Sequence, residues 1–130
     1  ENRAKQLGIE QQVIFTGNQK NVADYYQAFD FFLLPSFYEG LPGTAIEAQT
    51  CGVAGILSDT VTEEAIITDL MWQKSIDLAP EEWADEIIEY QKNNKNEDRR
   101  SRVEEVRNAG FDVKQQAMKL SEFYQKAVKQ

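Results

Sequence analysis

Short runs of bulky apolar residues alternate along the chain with segments whose apolar side chains recur at helical spacing. Residues 12–16 (QVIFT) are β-branched and aromatic and end at Gly17, so they read as a strand. Asn21 suits a helix N-cap, and Val22, Tyr25, Tyr26 and Phe29 fall at i, i+3, i+4 and i+7 on one face of a short helix. Residues 31–34 (FFLL), apolar on both faces and stopped by Pro35, suit a strand covered on both sides of a parallel sheet. A loop over 35–42 leads into a helix over 43–50, and Gly52 supplies the positive φ that ends it. Residues 53–57 (VAGIL) form the next strand.

Further on, Thr60 and Glu63 have the spacing of a capping box, which predicts a helix over 61–69. Residues 75–78 are a weaker strand candidate. Pro80 stands in the first turn of a helix whose stripe is Trp83, Ala84, Ile87 and Ile88. From Lys92 the chain reads as polar helix, with Asp98/Arg102 and Arg100/Glu104 spaced i, i+4 on a solvated face. Val113, Ala117, Leu120, Tyr124 and Ala127 trace a stripe expected to pack on the core. No repeat, low-complexity tract or linker interrupts residues 1–130, which read as one domain.

Strand and helix alternating in this order predict a parallel α/β sheet flanked by helices. In such sheets ligands sit beyond the carboxyl ends of the strands. Chemistry is therefore expected in three turns, 17–21, 35–43 and 58–60. Composition then removes whole classes of function. There are 14 Lys and Arg against 22 Asp and Glu, a formal charge of −8, no histidine and one cysteine. The chain can form no Ser-His or Cys-His dyad and no His-based metal site. A lone Cys51 makes neither an internal disulfide nor a cysteine zinc cluster, and it fits a reducing, cytoplasmic setting. Scattered bases on an acidic chain argue against nucleic acid as a partner. No apolar run approaches the ~20 residues that span a bilayer, and the polar first residues do not make a signal peptide.

The turn over 35–52 (PSFYEGLPGTAIEAQTCG) carries the chemistry. Gly40, Leu41, Pro42 and Gly43 lie immediately before a helix, leaving its first backbone N–H groups bare and open to close approach. Such a helix start is an anion site, most often for phosphate, and Thr44 adds a hydroxyl donor. Glu47 follows Gly43 by one helical turn, so it projects beside whatever the Gly43 amide holds. A carboxylate next to phosphate is favourable when it accepts from something neutral, and a ribose diol is the natural candidate. Glu39 would face the other end of such a ligand, near a sugar. Spacing alone equally allows a loop carboxylate and a solvated helix residue.

The two glutamates stand inside Pro35-Ser36-x-x-Glu39-Gly40-Leu41-Pro42, followed by Glu47-Ala48 and Cys51-Gly52. With Val13-x-Phe15-x-Gly17, Phe29-Asp30-Phe31-Phe32-Leu33-Leu34-Pro35-Ser36 and Ser58-Asp59 around it, this pattern resembles the donor-binding signature of retaining GT-B glycosyltransferases of family four. The variant EGLPGTAIEAQ, with SDTVTEE and PEEWA after it, is most similar to bacterial enzymes of exopolysaccharide and capsule assembly. The resemblance covers residues 7–92. It implies a Rossmann-like fold, the C-terminal nucleotide-sugar domain of a two-domain enzyme. It implies Glu47 on the ribose hydroxyls and Glu39, the catalytic position, beside the donor sugar. The amides of Gly40, Leu41, Pro42, Gly43 and Thr44 would meet the diphosphate, and the Gly17, Asn18 and Gln19 turn would lie near the base.

By the same resemblance, a sugar would pass from a UDP- or GDP-linked donor to a hydroxyl of a saccharide or lipid-linked saccharide, with retained configuration. No metal and no further cofactor would be needed, and the full-length enzyme would work in the cytoplasm, at the inner face of the membrane. The family's first strand, its glycine turn, the Arg and Lys it uses on the diphosphate, and the acceptor domain have no counterpart in these residues. The chain is thus expected to be part of a protein of ~300–400 residues, inactive alone. Two other classes remain open: a GT-B-fold sugar-nucleotide epimerase, and a non-catalytic α/β interaction module. Smaller expectations concern Asp59 as a helix cap in preference to a residue that positions a loop, Cys51 as a small buried residue in preference to a reactive thiol, Trp72 as packing for a connecting loop in preference to stacking on a sugar, and Tyr38 either lining the donor pocket or packing on the sheet.

Overall fold

A computed structural model describes residues 1–94 and 99–128. Three strands, β1 (Phe32–Leu34), β2 (Gly55–Ser58) and β3 (Met71–Lys74), form one parallel sheet in the order β1-β2-β3. Phe32 pairs with Gly55 and Ile56 with Trp72. Helices α1 (Asn2–Gln6) and α2 (Val22–Ala28) precede the sheet, and α3 (Gly43–Thr50) crosses from β1 to β2. A 3-10 turn, Glu63–Ala65, joins β2 to β3, and α4 (Pro80–Asn93), α5 (Val103–Asn108) and α6 (Val113–Val128) follow. The α/β class and the parallel sheet expected from the alternating pattern are present.

The core forms where α2 and α3 meet the sheet, around Tyr26, Ala45, Ala48, Val53, Leu57 and Met71. Every residue of β2 is buried, as a central parallel strand requires. β1 is covered less completely, and Leu33 is exposed. A glycine opens β2 because β1 runs so close: a Cβ at Gly55 would lie 2.6 Å from the Phe32 carbonyl oxygen.

The last turn of α3 is held from outside. Gly52 takes φ +73° and ends the helix as expected. Residues 99–102 then cross its carboxyl end, where Thr50 O accepts from the Arg102 N–H and from Ser101 Oγ, both at 3.1 Å. The Arg99 guanidinium donates to Cys51 O at 2.9 Å, to Gln27 O at 2.9 Å, to Phe29 O at 2.8 Å, and to Tyr26 O. One cation thus serves carbonyls at the ends of both α2 and α3, of which Tyr26 O also accepts from the Phe29 N–H at 3.4 Å.

Several expectations are corrected. Residues 12–16 form no strand, and Ile14 and Phe15 are exposed. No described strand lies beside them to take their backbone bonds, and β-propensity without a neighbour does not make a strand. The helix over 61–69 shrinks to the 3-10 turn, with Thr62 rather than Thr60 accepting at its start, from Glu64 N–H at 3.4 Å. A longer helix is prevented because the N–H groups of Ile67 and Thr68 are taken by Gln49 Oε1. The strand expected at 75–78 is displaced to β3, since Met71–Lys74 lies alongside β2.

Polar helix does not run on from Lys92. Residues 99–102 are non-helical, so Arg100 and Glu104 lack i, i+4 geometry; Glu104 pairs with Arg107 at 2.6 Å instead. Arg102 pairs with Glu105 at 2.7 Å and Asp69 at 3.1 Å, while Asp98 lies outside the described residues. The stripe on α6 does not pack: Val113, Ala117, Leu120, Tyr124 and Ala127 are all exposed.

Candidate functional site

The carboxyl ends of the strands carry three loops, and hydrogen bonds join all three. From β1, Ser36 O accepts from Ser58 Oγ, at the last residue of β2, and from Thr60 Oγ1, just beyond it, at 2.8 Å. Asp59 Oδ1 accepts from the Ile76 N–H at 3.0 Å, linking the β2 loop to the one after β3. Asp59 therefore braces loops instead of capping a helix. The Ile76 N–H above all, and then Ser75, hold its carboxyl below the ordinary aspartate value.

Glu39 stands in the first of these loops, half-buried, and accepts from Ser36 Oγ at 2.9 Å. Ser36 thereby links Glu39 to the β2 loop. Pro42 is the N-cap of α3 and offers no capping side chain. The Ala45 N–H returns to Pro42 O at 3.1 Å. Among the described residues no acceptor meets the N–H of Gly43 or Thr44. Pro42 itself has no N–H, so its part in the loop is its fixed φ and its carbonyl.

Gly40 and Gly43 have neither a positive φ nor a neighbour within 4 Å of where a Cβ would stand. Nothing in the chain itself requires glycine there, in contrast to Gly52 and Gly55. Open space over two bare amides is what a bound group can approach. Leu41 and Thr44 are exposed at the same edge.

Glu47 is exposed one turn along α3. Tyr26 is buried on the neighbouring helix α2. Burial, and then the neighbouring Glu47, push the Tyr26 phenol up to about 12. Of the four apolar-face positions read on α2, Tyr26 alone is fully buried.

The Gly17, Asn18 and Gln19 turn is exposed or half-buried, with Gly17 at φ +62°. Its bonds are local: Gln19 Nε2 donates to Thr16 O at 2.5 Å. No hydrogen bond among the described residues joins this turn to Glu39 or Glu47. Tyr38 is 84% exposed and so does not pack on the sheet. Trp72 lies on β3 and not in a connecting loop; it packs on Tyr90 and Phe31 and donates to Glu86 Oε1 at 2.5 Å. Cys51 is half-buried against the core. Among the described residues no three His, Cys, Asp or Glu converge as a metal site, and no helix is long and apolar enough to cross a membrane.

A family model described as "Glycosyl transferases group 1" matches residues 1–109. The chain is 34% identical over 92 residues to EpsF of Bacillus subtilis (strain 168), a protein bearing a glycosyltransferase name, covering 67% of this chain and 23% of that protein. It is 30% identical over 86 residues to the capsular polysaccharide biosynthesis glycosyltransferase CapH of Staphylococcus aureus, covering 65% and 24%. Over 51 residues it is 47% identical to the Vi polysaccharide biosynthesis protein VipC/TviE of Salmonella typhi, covering 39% and 9%. The chain spans less than a quarter of the length of these relatives. No solved structure matches it.

Proposed function

The chain belongs to the glycosyl transferases of group 1, and from that membership we propose that it is the donor-binding part of an enzyme of bacterial polysaccharide assembly. That enzyme moves a sugar from a nucleoside diphosphate, UDP- or GDP-linked, to a hydroxyl of a saccharide or lipid-linked saccharide acceptor. One observation carries the reading: Glu39 and Glu47 flank the uncapped start of α3, where the Gly43 and Thr44 amides are bare at the carboxyl end of a parallel sheet.

Each residue has a role that its chemistry supports. The Gly43 and Thr44 N–H groups and the positive end of the α3 dipole receive the diphosphate. As the sugar–phosphate bond breaks, negative charge grows on the leaving diphosphate, and donors already in place stabilise it without reorganising. Glu47 accepts from the ribose hydroxyls, and Glu39, held by Ser36, lies by the donor sugar. The Gly17, Asn18 and Gln19 turn lies by the base. Polysaccharide assembly is favoured by the printed names of CapH and VipC/TviE. The acceptor is bound by parts of the protein outside these residues, and the enzyme works in the cytoplasm.

Calorimetric titration of UDP and GDP into the full-length protein tests the donor site. Glu47→Ala is expected to weaken the binding nucleotide about tenfold, the worth of hydrogen bonds to a charged acceptor. Unchanged affinity in that variant removes the ribose assignment. Sugar transfer by the full-length protein that depends on added acceptor separates a transferase from an epimerase on the same fold.

A further inference from the structure

Glu39 stands on a loop, and among the described residues its carboxylate has one hydrogen bond and no ion pair: Ser36 Oγ donates to Oε1 at 2.9 Å. A glutamate on a loop ordinarily samples several rotamers, whereas an oxygen aimed at a sugar has to keep one direction. Ser36 is itself fastened on two sides. It lies two residues beyond β1, whose Leu34 pairs with Leu57 of β2, and Pro35 between them has its φ set by its ring. Its carbonyl oxygen accepts from Ser58 Oγ and from Thr60 Oγ1 at 2.8 Å, and Ser58 is fully buried. Phe37 and Tyr38, between Ser36 and Glu39, are 81% and 84% exposed and give the loop little packing. The Ser36 hydroxyl is thus the tie from the Glu39 carboxylate to the sheet.

We infer that Ser36 is a positioning residue for Glu39, its hydroxyl holding Oε1 so that Oε2 is presented to the donor sugar. The inference rests on the sugar-side role of Glu39 proposed above. An ionised carboxylate can only accept, so the single hydroxyl proton of Ser36 is committed to Oε1. A carboxylate has about four acceptor positions, so with one of them filled on Oε1, Oε2 keeps its own for sugar hydroxyls. The bond closes three residues of one loop onto a backbone already tied to β2, so the carboxylate is aimed before a ligand arrives.

The test compares wild type, Ser36→Ala, Ser36→Thr, Glu39→Ala and the double variant Ser36→Ala with Glu39→Ala in the full-length protein. Calorimetry with UDP-glucose, UDP-N-acetylglucosamine and GDP-mannose, each beside free UDP or GDP, gives the affinities, and thermal unfolding monitors the fold. Ser36→Ala is expected to weaken binding of the sugar nucleotide by about three- to tenfold, one hydrogen bond's worth, and to leave the free nucleotide unaltered. Ser36→Thr keeps the hydroxyl and should bind like wild type. In the Glu39→Ala background, Ser36→Ala should cause no further loss. Ser36→Ala with unchanged sugar-nucleotide affinity, where Glu39→Ala is weakened, overturns the positioning role and leaves the reading of Glu39 intact. Equal weakening of sugar nucleotide and free nucleotide by Ser36→Ala also overturns it, since a merely structural role would act on both. So does a Ser36→Thr protein as weak as Ser36→Ala, or losses that add in the double variant. Glu39→Ala that binds sugar nucleotides as wild type does, or a wild type that binds none of these nucleotides, overturns both readings together.

Discussion

Gln49 and Thr68 are joined twice: Gln49 Oε1 accepts from the Thr68 N–H at 2.9 Å and from its Oγ1 at 3.1 Å. The same oxygen accepts from the Ile67 N–H at 2.9 Å, while Nε2 donates to Ala45 O at 3.0 Å and Ala65 O at 2.8 Å. Gln49 is fully buried, and this side chain takes the place of secondary structure for the segment that leads into β3. Gln49→Leu keeps the volume and strands the N–H groups of Ile67 and Thr68, the Thr68 hydroxyl and the Ala65 carbonyl. It should lower unfolding stability by about 3 kcal/mol in a urea titration, and Thr68→Val by about half as much. A loss within error for Gln49→Leu would show that the segment finds other partners.

The glycines of the α3 loop and the one ending α3 should respond oppositely. Gly43→Ala meets no neighbour and replaces a poor helix former, so stability should hold or rise slightly, by up to about 1 kcal/mol. Nucleotide affinity of the full-length protein should fall, because the added methyl occupies the space above the bare amides. Gly52→Ala combines a φ of +73° with a Cβ 2.2 Å from Arg100 O, and should cost at least about 2 kcal/mol. Full affinity in a well-folded Gly43→Ala protein would move the diphosphate elsewhere.

Asp59 predicts an acid-side effect. Its native carboxyl lies below the ordinary value of 3.8 because Ile76 and Ser75 donate to the charged form. Its stabilising contribution is therefore present above that ordinary value and disappears as pH falls through the lowered native one. Urea midpoints of wild type and Asp59→Ala should differ by a constant amount near neutrality and converge in strong acid. A gap that does not depend on pH would mean the loops are braced without the charge.

Tyr26 predicts the converse at alkaline pH. Its phenol titrates at about 12 in the native chain against an ordinary value of 10.0, so the unfolded chain ionises first. The contribution is complete below pH 10.0 and is lost as pH rises through about 12. Tyr26→Phe should flatten that limb of the stability profile and remove a phenolate that appears near pH 12 from the ultraviolet absorbance. A profile identical to wild type would place the titration on another tyrosine.

What was legible in the sequence is what is decided locally. Pro42 and Gly43 at one end and Gly52 at the other mark α3 to the residue, whereas the spacing of Glu39 and Glu47 around that helix start only raised them as candidates, and the family resemblance chose the ligand-site reading over a solvated one. Residues 12–16 carry every mark of a strand yet need a neighbour, which composition does not encode. The segment after β2 depends on Gln49, 18 residues before Ile67, and no short-range pattern links them. β3 is recruited by its pairing with β2, whereas its sequence, MWQK, lacks the β-branched residues that announce a strand. The stripe on α6 is a true periodicity whose meaning, packed or open, is set by what lies opposite. The bond from Ser36 to Glu39 escaped notice because a loop turn, and no regular period, brings the two together.

Because the Ser36 carbonyl is shared by hydroxyls from the next loop, and Asp59 carries the linkage on to Ile76, the rim of the sheet is assembled when the chain folds and not when a ligand arrives. Little ordering entropy is left for binding to consume there, so affinity differences among nucleotides should reflect the contacts each one makes and not the effort of shaping the loops.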